Sequence, residues 1–174
     1  IIGLGFSLLT GGYLFYLAKT TNVKDLQNAL KATTIIYDKN GDQAGSLTGQ
    51  KGTYVELDAI SENLQNAVVA TEDRSFYKNS GINYGRFFLA ILTLGRSGGG
   101  STITQQLAKN AYLSQDQTVE RKAKEFFLAL EINKKYSKKE ILTMYLNNAY
   151  FGNGVWGIED ASKKYFGVSA SQLS

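Results

Sequence analysis

The stretch TVERKAKEFFLALEINKKYSKKEILTMYL, residues 118–146, decides the fold class. Its first half places apolar residues at the spacing of an amphipathic helix, and Thr118 is a residue type that often caps a helix N-terminus. Its second half opens with SKKE at residues 137–140, which matches a capping box ahead of the apolar run 141–146. Two consecutive helices with defined starts predict a mainly α domain.

The helical pattern continues on both sides of this stretch. Ser61 is placed to cap a helix that follows it, and FFLAILTL at residues 87–94 predicts a strongly apolar helix. Residues 101–110 predict a polar helix with Ser101 or Thr102 as its cap. A last helix is expected after the glycine-rich segment 152–157, ending at Gly167.

A small β element precedes the helical part. Asn40-Gly41 is a strong signal for a hairpin turn, and the flanking residues 33–37 and 43–47 have the character of strands. Residues 52–57 could add a third strand. We therefore expect residues 19–60 to form a linker with a minor β element, followed by a main domain over residues 61–174.

The N-terminal segment 1–18, IIGLGFSLLTGGYLFYLA, carries no charge. Eighteen helical residues span about 27 Å, close to the thickness of a bilayer core. Tyr13 and Tyr16 suit the aromatic belt of a membrane interface. We predict a transmembrane anchor; a buried core helix or the apolar region of a signal peptide would give a similar pattern.

The 174 residues include no cysteine and no histidine. Disulfides, thiolate nucleophiles, Ser-His-Asp triads and histidine-ligated metals are therefore excluded, and acid–base chemistry must use Asp, Glu, Lys or Tyr. The net charge of +4 suits nucleic acid, an anionic membrane or a phosphorylated substrate. No nucleic-acid-binding motif is present, so nucleic acid is not an expected partner.

Glu72 is the best candidate for a catalytic base. It follows the apolar face of a predicted helix and precedes Asp73 and Arg74. Desolvation at the end of an apolar stretch, together with the neighbouring Asp73 carboxylate, would raise the pKa of Glu72 toward neutrality. The alternative is an ordinary solvated cluster of charges at a helix end.

Residues 101–110, STITQQLAKN, form a helix with unusually many hydroxyl and amide side chains. Ser101, Gln105 and Lys109 follow one another at four-residue spacing and would share a face. Such a face offers donors and acceptors for sugar hydroxyls and phosphate oxygens, and the helix N-terminus can attract an anion. The polar groups could instead bond to neighbouring helices.

Arg121, Lys122 and Glu125 lie in the first turns of the helix that Thr118 opens. Arg121 and Glu125 are four residues apart and can pair, which as a surface salt bridge would contribute under about 1 kcal/mol. In a functional interpretation the two cations face a pyrophosphate, and Glu125 either orients them or faces the reacting sugar. We expect the later lysines to form a solvated basic surface that could touch lipid headgroups; they are Lys134, Lys135, Lys138 and Lys139.

Five segments resemble, in order, the five signatures of the peptidoglycan glycosyltransferases, family 51 of the glycosyltransferases. These are residues 71–81 (TEDRSFYKNSG), 99–110 (GGSTITQQLAKN), 121–125 (RKAKE), 139–147 (KEILTMYLN) and 154–167, ending in Tyr165-Phe-Gly. The anchor and β segment resemble the N-terminal part of class A penicillin-binding proteins of Gram-positive cocci. The resemblance implies a lysozyme-like α fold that continues beyond residue 174 in relatives, so that the domain 61–174 would be truncated at its C-terminus.

The resemblance also implies a reaction. The substrate would be lipid II, a disaccharide-pentapeptide on undecaprenyl pyrophosphate, which is added to a growing glycan chain with inversion. Glu72 would deprotonate the acceptor 4-hydroxyl, and Glu125 matches the second glutamate of the family, which positions groups. Lys109, Arg121 and Lys122 would neutralise the departing pyrophosphate.

The resemblance further implies that four residues line the donor cleft, where moenomycin binds in relatives; they are Ser101, Thr102, Gln105 and Gln106. Asp73 is sometimes linked to a divalent cation in relatives. Because no metal cage is visible, we expect no required cofactor, with Mg²⁺ or Mn²⁺ at most an aid. Asn79 stands where the family usually has histidine, and because an amide cannot titrate we expect no proton transfer there.

The expected location is the cell membrane, with one span and the catalytic domain on the extracellular face. Membrane lipids and proteins of cell-wall synthesis and division are the expected partners besides the substrate. Two other functions fit some of the same residues. A lysozyme-like glycan hydrolase also needs a glutamate in a cleft but no cations for a pyrophosphate, and a non-catalytic wall-binding module needs neither.

Overall fold

The computed structural model of this chain describes residues 12–13, 15–16, 20, 26, 30, 33–48, 51–86, 100–113 and 118–174. Most of the predicted anchor 1–18 and all of the predicted apolar helix 87–94 lie outside these residues. In the part of the chain that is described, no helix combines the length and the apolar character needed to cross a bilayer.

The described part is mainly helical, as predicted, with two small antiparallel sheets. The helices are α1 (Glu62–Glu72), α2 (Ile103–Tyr112), α3 (Val119–Lys135), α4 (Lys138–Asn148) and α5 (Ile158–Phe166). A 3-10 turn (Leu57–Ala59) precedes α1. The strands are β1 (Thr33–Tyr37), β2 (Gln43–Thr48), β3 (Tyr150–Gly152) and β4 (Val155–Trp156).

The predicted helix starts are confirmed. In each case a side chain near the start accepts a hydrogen bond from a free N–H group at the start of the helix. Ser61 Oγ accepts from the Leu64 amide at 3.2 Å ahead of α1, and Thr118 Oγ1 accepts from the Arg121 amide at 3.1 Å ahead of α3. In the capping box of α4, Glu140 accepts from the Ser137 amide and hydroxyl, both at 2.8 Å. These helices begin where the sequence places them.

The predicted hairpin is confirmed as well. β1 and β2 pair in antiparallel fashion, with an irregularity between Ile36 and Tyr37. In the connecting turn, Asp38 Oδ1 accepts from the amides of Asn40 and Asp42 at 2.8 and 2.9 Å. Gly41 has φ +87°, a conformation that glycine adopts without strain.

The chain divides into two compact units, and the first consists of residues 1–24 and 68–141. In it α2 packs against α3. Leu107 and Ala108 of α2 and Leu128, Ala129 and Ile132 of α3 are almost fully buried. This packing fixes the parts of α2 and α3 that carry the candidate site.

The second unit consists of residues 25–67 and 142–174. Its described core includes Met144 and Leu146 of α4 and Ile158 of α5. The buried Asn147 amide accepts from the Val55 N–H and donates to the Val55 carbonyl, both at 2.8 Å. The prediction of a third strand at residues 52–57 is wrong, because the backbone there bonds to side chains rather than to a neighbouring strand: Val55 to Asn147, and the Thr53 N–H to Asp160 Oδ2 at 3.1 Å.

Candidate functional site

Glu72 is the last residue of α1, and its side chain is exposed. The predicted desolvation is therefore wrong, because the carboxylate lies at the open end of the helix rather than on its apolar face. Its position is nevertheless defined, since Gln106 Nε2 of α2 donates to Glu72 Oε2 at 2.8 Å. An accessible carboxylate held by an amide can accept a proton from a bound hydroxyl group.

Lys109 follows Gln106 by three residues, so the two side chains are neighbours on one face of α2. The lysine is half-buried, and its ammonium group is in none of the ion pairs found among the described residues. The hydrogen-bonded Glu72–Gln106 pair and the Lys109 cation therefore belong to the same side of the unit. This arrangement combines a base and a positive charge.

Asp73, beside Glu72 in the sequence, is 2% exposed and satisfied by protein donors. Its Oδ1 accepts from the Ser75 hydroxyl at 2.9 Å, and its Oδ2 accepts from the Asn79 amide at 2.9 Å and from the Ile103 amide at 3.3 Å. The last contact reaches the first residue of α2. Asp73 therefore joins the loop after α1 to the helix that carries Gln106.

These contacts leave little room for a metal ion at Asp73. A divalent cation would have to replace several donors that already surround the carboxylate. Within the ranges that the structure describes, no group of three or more Asp, Glu, His or Cys side chains could hold an ion. The residues present fit a structural role for Asp73 and do not fit a metal site there.

Thr102 and Gln105 form the capping box of α2. Thr102 Oγ1 accepts from the Gln105 amide at 3.1 Å and donates to the Gly81 carbonyl at 2.6 Å, and Gln105 Oε1 accepts from the Thr102 amide at 3.0 Å. Both residues are buried. The prediction that Thr102 and Gln105 line a donor cleft is therefore wrong for the Thr102 hydroxyl and for Gln105 Oε1, because both form the cap. Gln106 faces Glu72 instead.

Glu125 of α3 is the centre of a second charged cluster. The carboxylate is 1% exposed and accepts from Arg121 Nη1 at 2.6 Å and from the Lys122 ammonium. Lys122 Nζ also donates to Ser101 Oγ at 2.6 Å, immediately before α2. The structure therefore brings together four of the predicted residues around a buried carboxylate, rather than in a fully exposed surface salt bridge.

The cluster has one negative and two positive side chains, so it keeps an excess positive charge. The side chain of Lys122 is 40% exposed, whereas that of Arg121 is 15% exposed. Arg121 Nε is buried and has no hydrogen-bond partner within the described residues. The partly exposed Lys122 ammonium group, in a cluster with excess positive charge, suits the binding of an anion.

Asn79 and Lys138 form a contact that the sequence did not reveal. Lys138 Nζ donates to Asn79 Oδ1 at 3.1 Å and lies 4.8 Å from the centre of the Phe76 ring. Burial lowers the pKa of Lys138, and the charge of Asp73 opposes this effect. The prediction of a solvated Lys138 is therefore wrong; its position at the start of a capped helix gave no sign of a long-range partner.

Comparison with known proteins agrees with these observations. The family model described as Transglycosylase matches residues 40–174. The chain is 80% identical to penicillin-binding protein 2a of Streptococcus pneumoniae over 174 residues, which cover 100% of this chain and 24% of that protein. It is 40% identical to penicillin-binding protein 1A of Aquifex aeolicus over 183 aligned residues, 100% of this chain and 25% of that protein.

A third relative, penicillin-binding protein 1F of Bacillus subtilis, is 43% identical over 149 residues, 83% of this chain and 21% of that protein. The chain thus spans about a quarter of the length of the relatives that it matches. The family match begins within the β1–β2 hairpin and includes the charged residues of the candidate site, which are Glu72, Lys109, Arg121, Lys122 and Glu125. The chain belongs to the transglycosylase family.

Proposed function

We propose that this chain is the glycosyltransferase part of a peptidoglycan synthase, which polymerises lipid II into β-1,4-linked glycan strands. The observation that supports this function most directly is the contact between Glu72 and Gln106, one helical turn from Lys109. A candidate base and a cation of a leaving-group site therefore lie on one face. Membership of the transglycosylase family supports the same reaction class.

In the proposed reaction Glu72 removes the proton from the 4-hydroxyl of the acceptor sugar. The oxygen attacks the anomeric carbon of the donor chain from the face opposite the leaving group. The bond between that carbon and the phosphate oxygen breaks, and the lipid pyrophosphate departs with the electron pair. Because Glu72 is exposed, a sugar hydroxyl can reach its carboxylate directly.

The leaving pyrophosphate carries several negative charges, and the proposed site supplies the opposite charge. Lys109 is available on α2, and Arg121 and Lys122 are held on α3 by the buried Glu125. Cations fixed before the reaction stabilise charge as it develops, without having to reorganise. Glu125 has the role of a positioning group here, since both of its oxygens are engaged by these cations.

The same cations favour transfer over hydrolysis. A lysozyme-like hydrolase releases a sugar hydroxyl, which needs a proton donor rather than a cluster of positive charge. A non-catalytic wall-binding module would not need an accessible carboxylate beside an amide. Neither alternative uses the Lys109 ammonium or the excess positive charge of Arg121 and Lys122 around Glu125.

The remaining features of the proposal follow from the reaction. The lipid tail of the substrate requires a membrane surface, so we propose a membrane-bound protein with its catalytic domain on the extracellular face. Side chains supply all the acid–base and charge roles, so no cofactor is required. We also propose that moenomycin inhibits this protein and that its partners are proteins of wall synthesis and division.

The test is incubation of the purified protein in detergent micelles with labelled lipid II, followed by separation of the products by size. The proposed function predicts long glycan strands, whereas shortening of preformed glycan would support a hydrolase. The absence of either product would support a binding module. Lysozyme digestion of the product and release of labelled undecaprenyl pyrophosphate verify that a glycan was made.

A matched pair of variants tests the role of the cation. We expect Lys109→Ala to lower turnover roughly 100-fold, as removal of one preorganised stabilising group does in other enzymes. Lys134→Ala removes an exposed charge at the end of α3 and should retain normal turnover. Equal losses in the two variants would mean that the lysines act through a diffuse attraction to the membrane.

A further inference from the structure

We propose that Asn79 and Lys138 are positioning residues for the transfer reaction. The Asn79 amide connects the Lys138 ammonium to the Asp73 carboxylate, and the connection fixes the loop 73–81 between the catalytic base and α2. This inference rests on the proposed function for its kinetic consequences. Its structural part can be tested without any substrate.

The connection depends on the two ends of one amide group. Asn79 Nδ2 donates to Asp73 Oδ1 and Oδ2 at 3.2 and 2.9 Å, while Asn79 Oδ1 accepts from Lys138 Nζ at 3.1 Å. The same oxygen accepts from the Gly81 amide at 2.9 Å. A group between a carboxylate and an ammonium must donate at one atom and accept at another, which a neutral amide does at every pH.

The loop held in this way connects Glu72 with α2, the helix that carries Gln106. Glu72 directly precedes Asp73, and Asp73 Oδ2 accepts from the Ile103 amide at the start of α2. At the other end of the loop, the Gly81 carbonyl accepts from Thr102 at 2.6 Å. A shift of the loop would therefore change the distance between the Glu72 carboxylate and the groups on α2.

Lys138 is suited to act as the fixed end of this connection. It begins α4, whose first turn is capped by Ser137 and Glu140. Its ammonium group lies over the ring of Phe76, a residue that is fully buried. A cation over an aromatic face with a hydrogen-bond acceptor is confined to one position, unlike a solvated lysine.

The first experiment measures amide hydrogen exchange in the intact protein. We expect Lys138→Met to speed exchange of the Gly81 and Ile103 amides by roughly tenfold. The variant loses the hydrogen bond from Lys138 to Asn79, worth about 1.4 kcal/mol, and that bond holds the acceptors of both amides in place. Lys134→Met, which removes an exposed lysine, should leave both amides unchanged. Unchanged exchange at both amides in Lys138→Met would overturn the proposal.

The second experiment measures lipid II polymerisation. We expect Lys138→Met to lower kcat about tenfold with less than a twofold change in KM, because the loop places the base and not the pyrophosphate cations. Asn79→Leu should give a similar loss, the double variant no more than either alone, and Lys138→Arg a partial recovery. Additive losses, or an effect on KM alone, would overturn the positioning role.

The proposal can still be tested if the proposed function fails or if the main variant does not fold. If the wild-type protein does not polymerise lipid II, the proposed function fails while the exchange experiment still tests the connection. If Lys138→Met does not fold, as judged by circular dichroism, Asn79→Ser serves instead, since its short side chain cannot reach both charges. Its Ile103 amide must then exchange faster than in the wild type, and normal protection there would contradict the connection.

Discussion

The loss of stability caused by substituting Gly81 with alanine can be worked out from the structure. Its φ is +90°, and a Cβ atom at this position would lie 2.7 Å from the Ala129 carbonyl oxygen and 2.9 Å from Asn133 Cβ. Both contacts are closer than side chains tolerate, and one of them is with the backbone of α3. Gly81→Ala must therefore adopt an unfavourable conformation and also push the loop away from the helix.

The two effects have separate magnitudes. A non-glycine residue in the left-handed region costs about 1–2 kcal/mol, and overpacking against a fixed neighbour costs about 1–3 kcal/mol. The free energy of unfolding should fall by about 3 kcal/mol in total, which for a chain of this size lowers the unfolding temperature by roughly 10 °C. The loop contacts of Thr102 and Asp73 would weaken with it.

Thermal unfolding followed by circular dichroism measures this effect, with Gly154→Ala as the control. Gly154 has a similar φ of +77°, but no atom of the described residues lies within 4 Å of the added Cβ. The control should therefore show only the conformational cost, about 1–2 kcal/mol. Equal decreases in the two variants would refute the claim that the loop packs closely against α3 at Gly81.

Three further predictions concern single side chains. Hydrogen bonds from the capping serine lower the pKa of Glu140 from 4.5, so wild type should exceed Glu140→Gln in unfolding free energy by about 0.5 kcal/mol at neutral pH. That difference should disappear as the pH falls through the folded pKa; a constant difference would contradict it. Gln106→Leu removes the donor to Glu72 and should lower kcat roughly tenfold in the polymerisation assay, whereas an unchanged kcat would exclude this role. Glu125→Gln leaves two cations without a counter-charge and should destabilise the protein by about 3 kcal/mol in denaturant unfolding; a loss below about 1 kcal/mol would indicate a solvated pair.

Features that depend on neighbours in the sequence were predictable. The caps at Ser61, Thr118 and Ser137 and the turn at Asn40-Gly41 are set by residues within four positions of one another. The pairing of Arg121 with Glu125 follows from the period of one helix in the same way. Such local hydrogen bonds form wherever the backbone allows them, so the pattern of residue types is sufficient.

Features that depend on packing between distant segments were not predictable. Thr102 was one of two candidate caps, and its capping box with Gln105 has the same local spacing as Ser137 and Glu140. That Gln106 faces Glu72 could not be read from the sequence, because the rotation of α2 is set by its contact with α3. The exposure of Glu72 depends on where α1 ends relative to α2. No residue type in the sequence distinguishes these outcomes.

The contact of Lys138 is a second example of a feature that the sequence does not predict. In the sequence it is one of several lysines near the start of α4, and a surface position is the ordinary expectation for lysine. Its partner Asn79 lies 59 residues earlier in the chain. Only the packing of α4 against the loop reveals that one lysine of the group has a defined position.

The most direct test of the central claim is the rate of lipid II polymerisation by Glu72→Gln, compared with Glu62→Gln in the same helix. The substituted amide keeps the size of the side chain and cannot accept the proton of a sugar hydroxyl. Loss of the base predicts a rate at least roughly 100-fold below wild type for Glu72→Gln, with the exposed control at a normal rate. Polymerisation by Glu72→Gln at the wild-type rate would contradict the assignment of Glu72 as the catalytic base.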